Sequence, residues 1–159
     1  MGAVAAGGLI GALALQSRSG ASELLSAPFL DFAGRTCYLR EWQGRVVLCN
    51  FWATWCEPCR KEVLLLSAAE QKYRTRGLSV VGIGIDYARK IDEFALKYRL
   101  SYANLIADAT AIQLIRRLGN QAGGLPFSVL LDRGGAIVGR QLGPYDEAEL
   151  NGVLEGMLR

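Results

Sequence analysis

Histidine is absent from this 159-residue chain. Its absence excludes Ser-His-Asp and Cys-His catalysis, histidine metal sites and histidine pH switches. Cysteine is scarce: four residues are too few for a disulfide scaffold in a chain of this length. A strong charge of either sign is also missing. Eighteen basic against fifteen acidic residues leave +3, a surplus too small to argue for nucleic acid or an anionic surface as partner. No second linker and no internal repeat divide the chain. What the chain does have is apolar substance. Hydrophobic residues make up 51% and charged residues 21%, enough for the core of one domain and too much for a disordered tail.

The first apolar run, Gly2 to Leu15, carries no charge; the first charged residue is Arg18. A membrane-spanning helix takes about 20 apolar residues, and this run is shorter. Its length fits the apolar core of a signal peptide, and Ala12-Leu13-Ala14 has the small residues of a cleavage site. No lysine or arginine precedes it, so it reads either as a cleaved export segment or as the tail of a longer anchor. Gln16 to Ala27 is polar and reads as a linker. The expected division is an export or anchor segment with linker over residues 1–26 and a folded domain over 27–159.

Within the domain, Val46 to Trp52 is a continuous apolar and aromatic run, the pattern of a strand buried on both faces in the middle of a sheet. Glu57 to Arg76 has helical spacing and ends at Gly77. Ser79 to Ile85 reads as a second buried strand. Short helices are expected over Ile91–Tyr98 and Ala109–Leu118, with short strands at Thr36–Leu39 and Leu105–Ile106. Asp132-Arg133-Gly134-Gly135 between Ser128–Leu131 and Ile137–Leu142 signals a hairpin. Asp146 caps a closing helix to Leu158 that turns Leu150, Val153, Leu154 and Met157 inward. This order predicts an α/β fold: a central mixed β-sheet with helices on both faces.

The chemistry lies at Trp55-Cys56-Glu57-Pro58-Cys59. A Cys-x-x-Cys pair can hold metal, but no second pair and no histidine accompany it. No metal and no organic cofactor is expected. The pair sits between a buried strand and a long helix. Cys56 then faces the unpaired N–H groups and positive dipole of a helix N-terminus, which favours thiolate over thiol. Cys59 follows one turn later on the same side, and Pro58 suits a first helical turn. Cys56 is the expected nucleophile and Cys59 the resolving thiol; two inert structural thiols are the alternative.

The stretch from Cys49 to Glu62, Cys-Asn-Phe-Trp-Ala-Thr-Trp-Cys-Glu-Pro-Cys-Arg-Lys-Glu, resembles the active-site segment of TlpA/ResA-type thioredoxin-like proteins. Leu125-Pro126 ahead of a strand resembles their cis-proline segment, and the likeness runs from about Pro28 to the C-terminus. It implies a thioredoxin-like fold. It implies a membrane-anchored or periplasmic, extracytoplasmic protein-disulfide reductase; a monomer, recharged by an upstream membrane thiol reductant, is expected. Its substrates would be disulfides of other proteins, among them the haem-binding cysteines of apocytochrome c. The resemblance also assigns residues. Trp55 would stack beside the disulfide, and Leu125 and Pro126 would meet a substrate strand. Asn50 stands where cytosolic thioredoxins carry a buried aspartate, and it cannot titrate. Glu62 matches the glutamate that ResA-type proteins use to exchange protons with the second cysteine; a solvated helix glutamate is the alternative. Leu64 stands where many relatives have a helix-kinking proline, so a straighter helix is expected.

Three residues stay open at this stage. Cys49 reads as a small buried apolar residue and Cys37 as the same, with a disulfide between them as the alternative. Asp86 either lines the site's edge or caps the following turn, and the cap is expected. Competing functions on the same motif are a thiol oxidase or isomerase, a thiol peroxidase and a non-catalytic interaction module.

Overall fold

The computed structural model describes residues 20–159. The expected export segment, Gly2 to Leu15, lies outside them. No helix among the described residues is long and apolar enough to cross a membrane.

Seven strands form one mixed sheet in the order β2-β1-β5-β4-β3-β6-β7. They are β1 (Phe29–Leu30), β2 (Thr36–Cys37), β3 (Val46–Trp52), β4 (Leu78–Ile85), β5 (Ala103–Ala107), β6 (Phe127–Leu131) and β7 (Ile137–Leu142). Residues 20–26 form helix α1. Then come α2 (Glu57–Tyr73), α3 (Ala88–Lys97), α4 (Ala111–Arg117) and α5 (Glu147–Met157). β3, β4 and β5 run parallel, joined by α2 and α3 as crossovers. β6 returns antiparallel along β3, and β7 pairs antiparallel with β6.

All positions of β3 and β4 are buried, as their unbroken apolar runs require: both faces are covered. One face carries Val47, Cys49, Phe51, Val81 and Ile83 beneath α1 and α4. The other carries Val46, Leu48, Trp52 and Val80 beneath α2, α3 and α5. The fold is thioredoxin-like, α/β with helices on both faces, as the sequence implied.

Several local expectations are corrected. The described part of the linker, residues 20–26, is helical and puts Leu24 at 0% and Ala21 at 6% exposure in the core. Burying one leucine contributes about 1.5–3 kcal/mol. The Glu23–Arg117 ion pair at the surface is worth about 0–1 kcal/mol. Packing, not charge, docks α1. The strand expected over Thr36–Leu39 stops at Cys37, and Leu39–Trp42 is a 3₁₀ turn. In α5, Asp146 caps through a bond from Glu149 N at 2.8 Å. Leu150 and Leu154 face inward as expected, whereas Val153 is exposed. α2 is one continuous helix followed by a 3₁₀ turn and Gly77 at φ 103°.

Beyond the reach of β5, α2 supplies partners that a strand would have given. Glu70 accepts from Val80 N at 2.7 Å, and Ser67 Oγ accepts from Ser101 N at 2.9 Å. Burial pushes the Glu70 carboxyl above its ordinary value, against the bonds and the nearby Arg45 and Arg74 charges that favour ionisation.

Candidate active site

β3 ends at Trp52, and the chain turns through Ala53-Thr54-Trp55 into α2. Cys56 is the N-cap residue of that helix, with extended backbone. Its sulfur accepts from Cys59 N at 3.4 Å, so the dipole end of α2 points at it. Pro58 occupies the first turn, where no N–H is missed. Cys56 and Cys59 are joined as a disulfide, with Cα atoms 5.2 Å apart. Cys56 is 7% exposed and Cys59 0%. Glu57 and Pro58 between them face solvent. An incoming group therefore meets Cys56 first.

The Leu125–Pro126 peptide is cis, as expected from the sequence. Leu125 O lies 3.6 Å from Cys56 Sγ. In the disulfide that sulfur has no hydrogen to give; in the thiol form it can donate to this carbonyl. Pro126 is buried, and Leu125 packs against the cluster that holds both cysteines. Trp55 stands at the lip of the site, 69% exposed. Its ring presents an apolar face to solvent directly ahead of Cys56.

Glu62 is not a solvated surface charge. It is 2% exposed, one helical turn past Cys59 on the same side of α2. Its Oε1 accepts from Tyr145 N at 2.9 Å and its Oε2 from Asn50 Nδ2 at 2.9 Å. Burial raises its pKa above the ordinary glutamate value, and these two bonds pull the other way. Asn50 Nδ2 also donates to Ser128 Oγ at 2.9 Å. Asn50 is thus no inert replacement: it holds the carboxylate.

Asp86 does not cap α3. Tyr87 is the cap residue of that helix and makes no side-chain bond there. Asp86 instead accepts from Tyr87 N at 2.7 Å and from the Thr54 hydroxyl. It ties the loop before Cys56 to the end of β4. Cys37 and Cys49 are both free thiols. Four strand steps separate β2 from β3, about 19 Å at the usual spacing, far beyond disulfide reach. Burial raises the Cys49 thiol far above its ordinary value and leaves it inert.

Sequence reasoning missed Thr54, Ser128, Tyr102 and Tyr145. Thr54 lies inside the motif but carries no reactive group, and no local motif marks the other three. Ser128 reaches the site through sheet register, Tyr102 from the segment before β5, and Tyr145 from the turn before α5. Among the described residues no group of three or more His, Cys, Asp or Glu side chains is placed to hold a metal ion.

The Redoxin family matches residues 28–154. A thiol-disulfide oxidoreductase ResA of Bacillus cereus is 30% identical over 127 residues, covering 79% of this chain and 70% of the relative. A ResA of Bacillus anthracis is 29% identical over 126 residues, with the same coverage of 79% and 70%. Among solved structures, a thiol:disulfide interchange protein of Chlorobium tepidum TLS superposes with TM-score 0.71 at 24% identity, covering 84% of this chain and 95% of that one. A putative thiol:disulfide interchange protein DsbE from Chlorobium tepidum gives 0.69 at 25%, covering 84% and 93%. With the dithiol placed as it is on this fold, the chain is a thiol–disulfide oxidoreductase and belongs to the Redoxin family.

Proposed function

We propose that the chain is an extracytoplasmic reductant of protein disulfides, with Cys56 as nucleophile, Cys59 as resolving thiol and Glu62 as their proton partner. The observation that carries the assignment is the asymmetry of the pair: Cys56 at the helix cap with partial exposure, Cys59 sealed beneath it.

The Cys56 thiolate attacks one sulfur of a substrate disulfide. A mixed disulfide forms, and the other substrate sulfur leaves as thiolate and takes a proton. Cys59 then loses its proton and attacks Cys56 Sγ. The Cys56–Cys59 bond forms, and the second substrate thiolate is released. Two electrons pass from the enzyme dithiol to the substrate. Glu62, buried beside Cys59, takes the Cys59 proton through the interior during resolution and returns one on recharging. Leu125, with its carbonyl beside Cys56, pairs with the backbone of the substrate segment, and the exposed Trp55 ring covers its apolar part.

The apolar run Gly2 to Leu15 supports placement outside the cytoplasm, where a reductant has disulfides to act on. A tether there would raise the effective concentration of an upstream membrane thiol donor. The TlpA/ResA resemblance supports apocytochrome c cysteines among the substrates. The deciding experiment is insulin reduction with dithiothreitol, together with the reduction potential. A reductant lies near about −250 mV or below, whereas a strong oxidant lies nearer about −120 mV. Absence of insulin reduction would leave a folded interaction module. A potential near the oxidant value would reassign the chain to disulfide formation. Recovery of native protein from the cytosol with an uncut N-terminus would refute the location.

A further inference from the structure

A polar row crosses the sheet beneath α2. Ser128, Asn50, Gly82 and Asn104 are register partners on β6, β3, β4 and β5. Gly82 interrupts the row, and Tyr102 fills the gap. A Cβ on Gly82 would lie 3.0 Å from Tyr102 Cε2 and 3.1 Å from Trp52 Nε1. Cε2 is bonded to the ring carbon that bears the hydroxyl. The phenol therefore lies over the strand position beside Asn50.

Two atoms of this region are buried and have no hydrogen-bond partner among the described residues: Asn50 Oδ1 and Tyr102 OH. Their residues are 0% and 8% exposed. The two atoms are complementary, since an amide oxygen accepts and a phenol donates. Each left alone would carry the full desolvation penalty of a buried polar group, and native proteins rarely leave such atoms unpaired. Polar walls on both sides are what an internal water needs. The same space is felt by Glu62: its charge adds to burial in holding the Tyr102 phenol well above its ordinary pKa.

We propose that one internal water joins the Tyr102 hydroxyl to Asn50 Oδ1, making Tyr102 the positioning residue that keeps the NH₂ edge of Asn50 turned toward Glu62. The amide has two edges with opposite effects. Its NH₂ edge donates to Glu62 Oε2 and favours the carboxylate. Its oxygen edge would accept from a protonated Glu62 and favour the acid. Whatever fixes the edge sets the proton affinity of the carboxyl. The other groups facing Glu62 are few. Tyr145 donates its backbone N–H from the segment before α5, and its phenol is raised to about 12, by burial first and by Glu149 and Glu62 after it. Neutral Asn50 and Ser128 face it from β3 and β6, and the cysteine pair lies toward the head of α2. No lysine or arginine among the described residues makes a salt bridge with it.

The inference rests on the Glu62 reading only for its kinetic consequence, so the two can fail separately. Tyr102→Phe keeps the ring over Gly82 and removes only the hydroxyl. Glu62 is followed in the reduced protein by carboxyl ¹³C NMR, assigned with Glu62→Gln. The expected result is a midpoint raised by about one pH unit, the worth of one hydrogen bond to a charged group, with a lower melting temperature. An unpartnered hydroxyl predicts no change in the midpoint and no loss of melting temperature. An unmoved Glu62 midpoint with equal or higher melting temperature would overturn the proposal. A second measurement needs no variant: magnetisation transfer from a long-lived water to the Asn50 NH₂ and Tyr102 ring protons in the wild-type protein. Its absence would also overturn the proposal. The pH profile of exchange with oxidised glutathione separates the two readings. If the Glu62 midpoint moves and the profile does not, the Tyr102 lock stands and the proton role of Glu62 falls.

Discussion

Glu62→Gln tests whether a buried carboxyl at this position is titrated by the fold. The carboxyl is 2% exposed and its pKa is raised, with burial the leading cause. In the unfolded chain it loses its proton near the ordinary value of 4.5; in the native protein it holds it to higher pH. Between those two values the native state binds more protons than the unfolded state, so stability falls as pH rises. The contribution is fully present below 4.5 and lost as pH passes the folded value. One proton limits the slope to about 1.4 kcal/mol per pH unit. Glutamine removes the proton and therefore the slope. It also keeps only one oxygen for two donors, Tyr145 N and Asn50 Nδ2, a pH-independent cost of about 1–3 kcal/mol. Glu70 is titrated in the same direction, but it is present in both proteins and cancels in the difference. The assay is urea unfolding of the reduced wild type and variant from pH 4 to 8. The wild-type advantage should shrink as pH rises and then level off. Parallel curves across that range would refute the claim that burial dominates at Glu62.

Gly82→Ala should destabilise the fold by about 1–3 kcal/mol, the usual cost of overpacking, because its Cβ would drive into Asn104 Oδ1 and the Tyr102 ring; unchanged urea midpoints would show that the polar row has room to spare. In the reduced protein, brief iodoacetamide treatment followed by peptide mass mapping should label Cys56 before Cys59, with preferential labelling of Cys59 reversing their roles. In the same digest the half-buried Cys37 should react and the fully buried Cys49 should not; labelling of Cys49 at native pH would contradict its burial.

The elements that the sequence revealed are those whose signals are local. The β3 run, the Gly77 stop, the Asp132 hairpin and the Asp146 cap each rest on contacts within a few residues, and all appear in the fold. Cys56, Cys59 and the cis Leu125–Pro126 bond were legible because motif and position agree. α1 was not, because its described inward side chains, Ala21, Leu24 and Leu25, span little more than one turn of a segment otherwise rich in serine and glycine, too short a stretch to repeat a period. The bond between Asp86 and Thr54 was not legible, because 32 residues separate the two. Asn50 was read as a lost acid rather than a clamp, since its value depends on Glu62 and on Ser128, which only the strand register brings beside it.

The side-chain bonds along α2 have a consequence for motion. The helix is pinned at three heights: by Glu62 to Asn50 on β3, by Ser67 to Ser101 just ahead of β5, and by Glu70 to Val80 N on β4. A rigid-body slide or roll would break all three at once and expose buried acceptors. Opening and closing the disulfide is therefore met at one end only, by Thr54 and Trp55 ahead of the cap. On that account the rest of α2 is expected to stay still, as a fixed anvil against which the reactive pair is worked. Amide hydrogen exchange should report this directly: protection from Val63 to Tyr73 should be the same in both redox states, and any difference should be confined to residues 53–59.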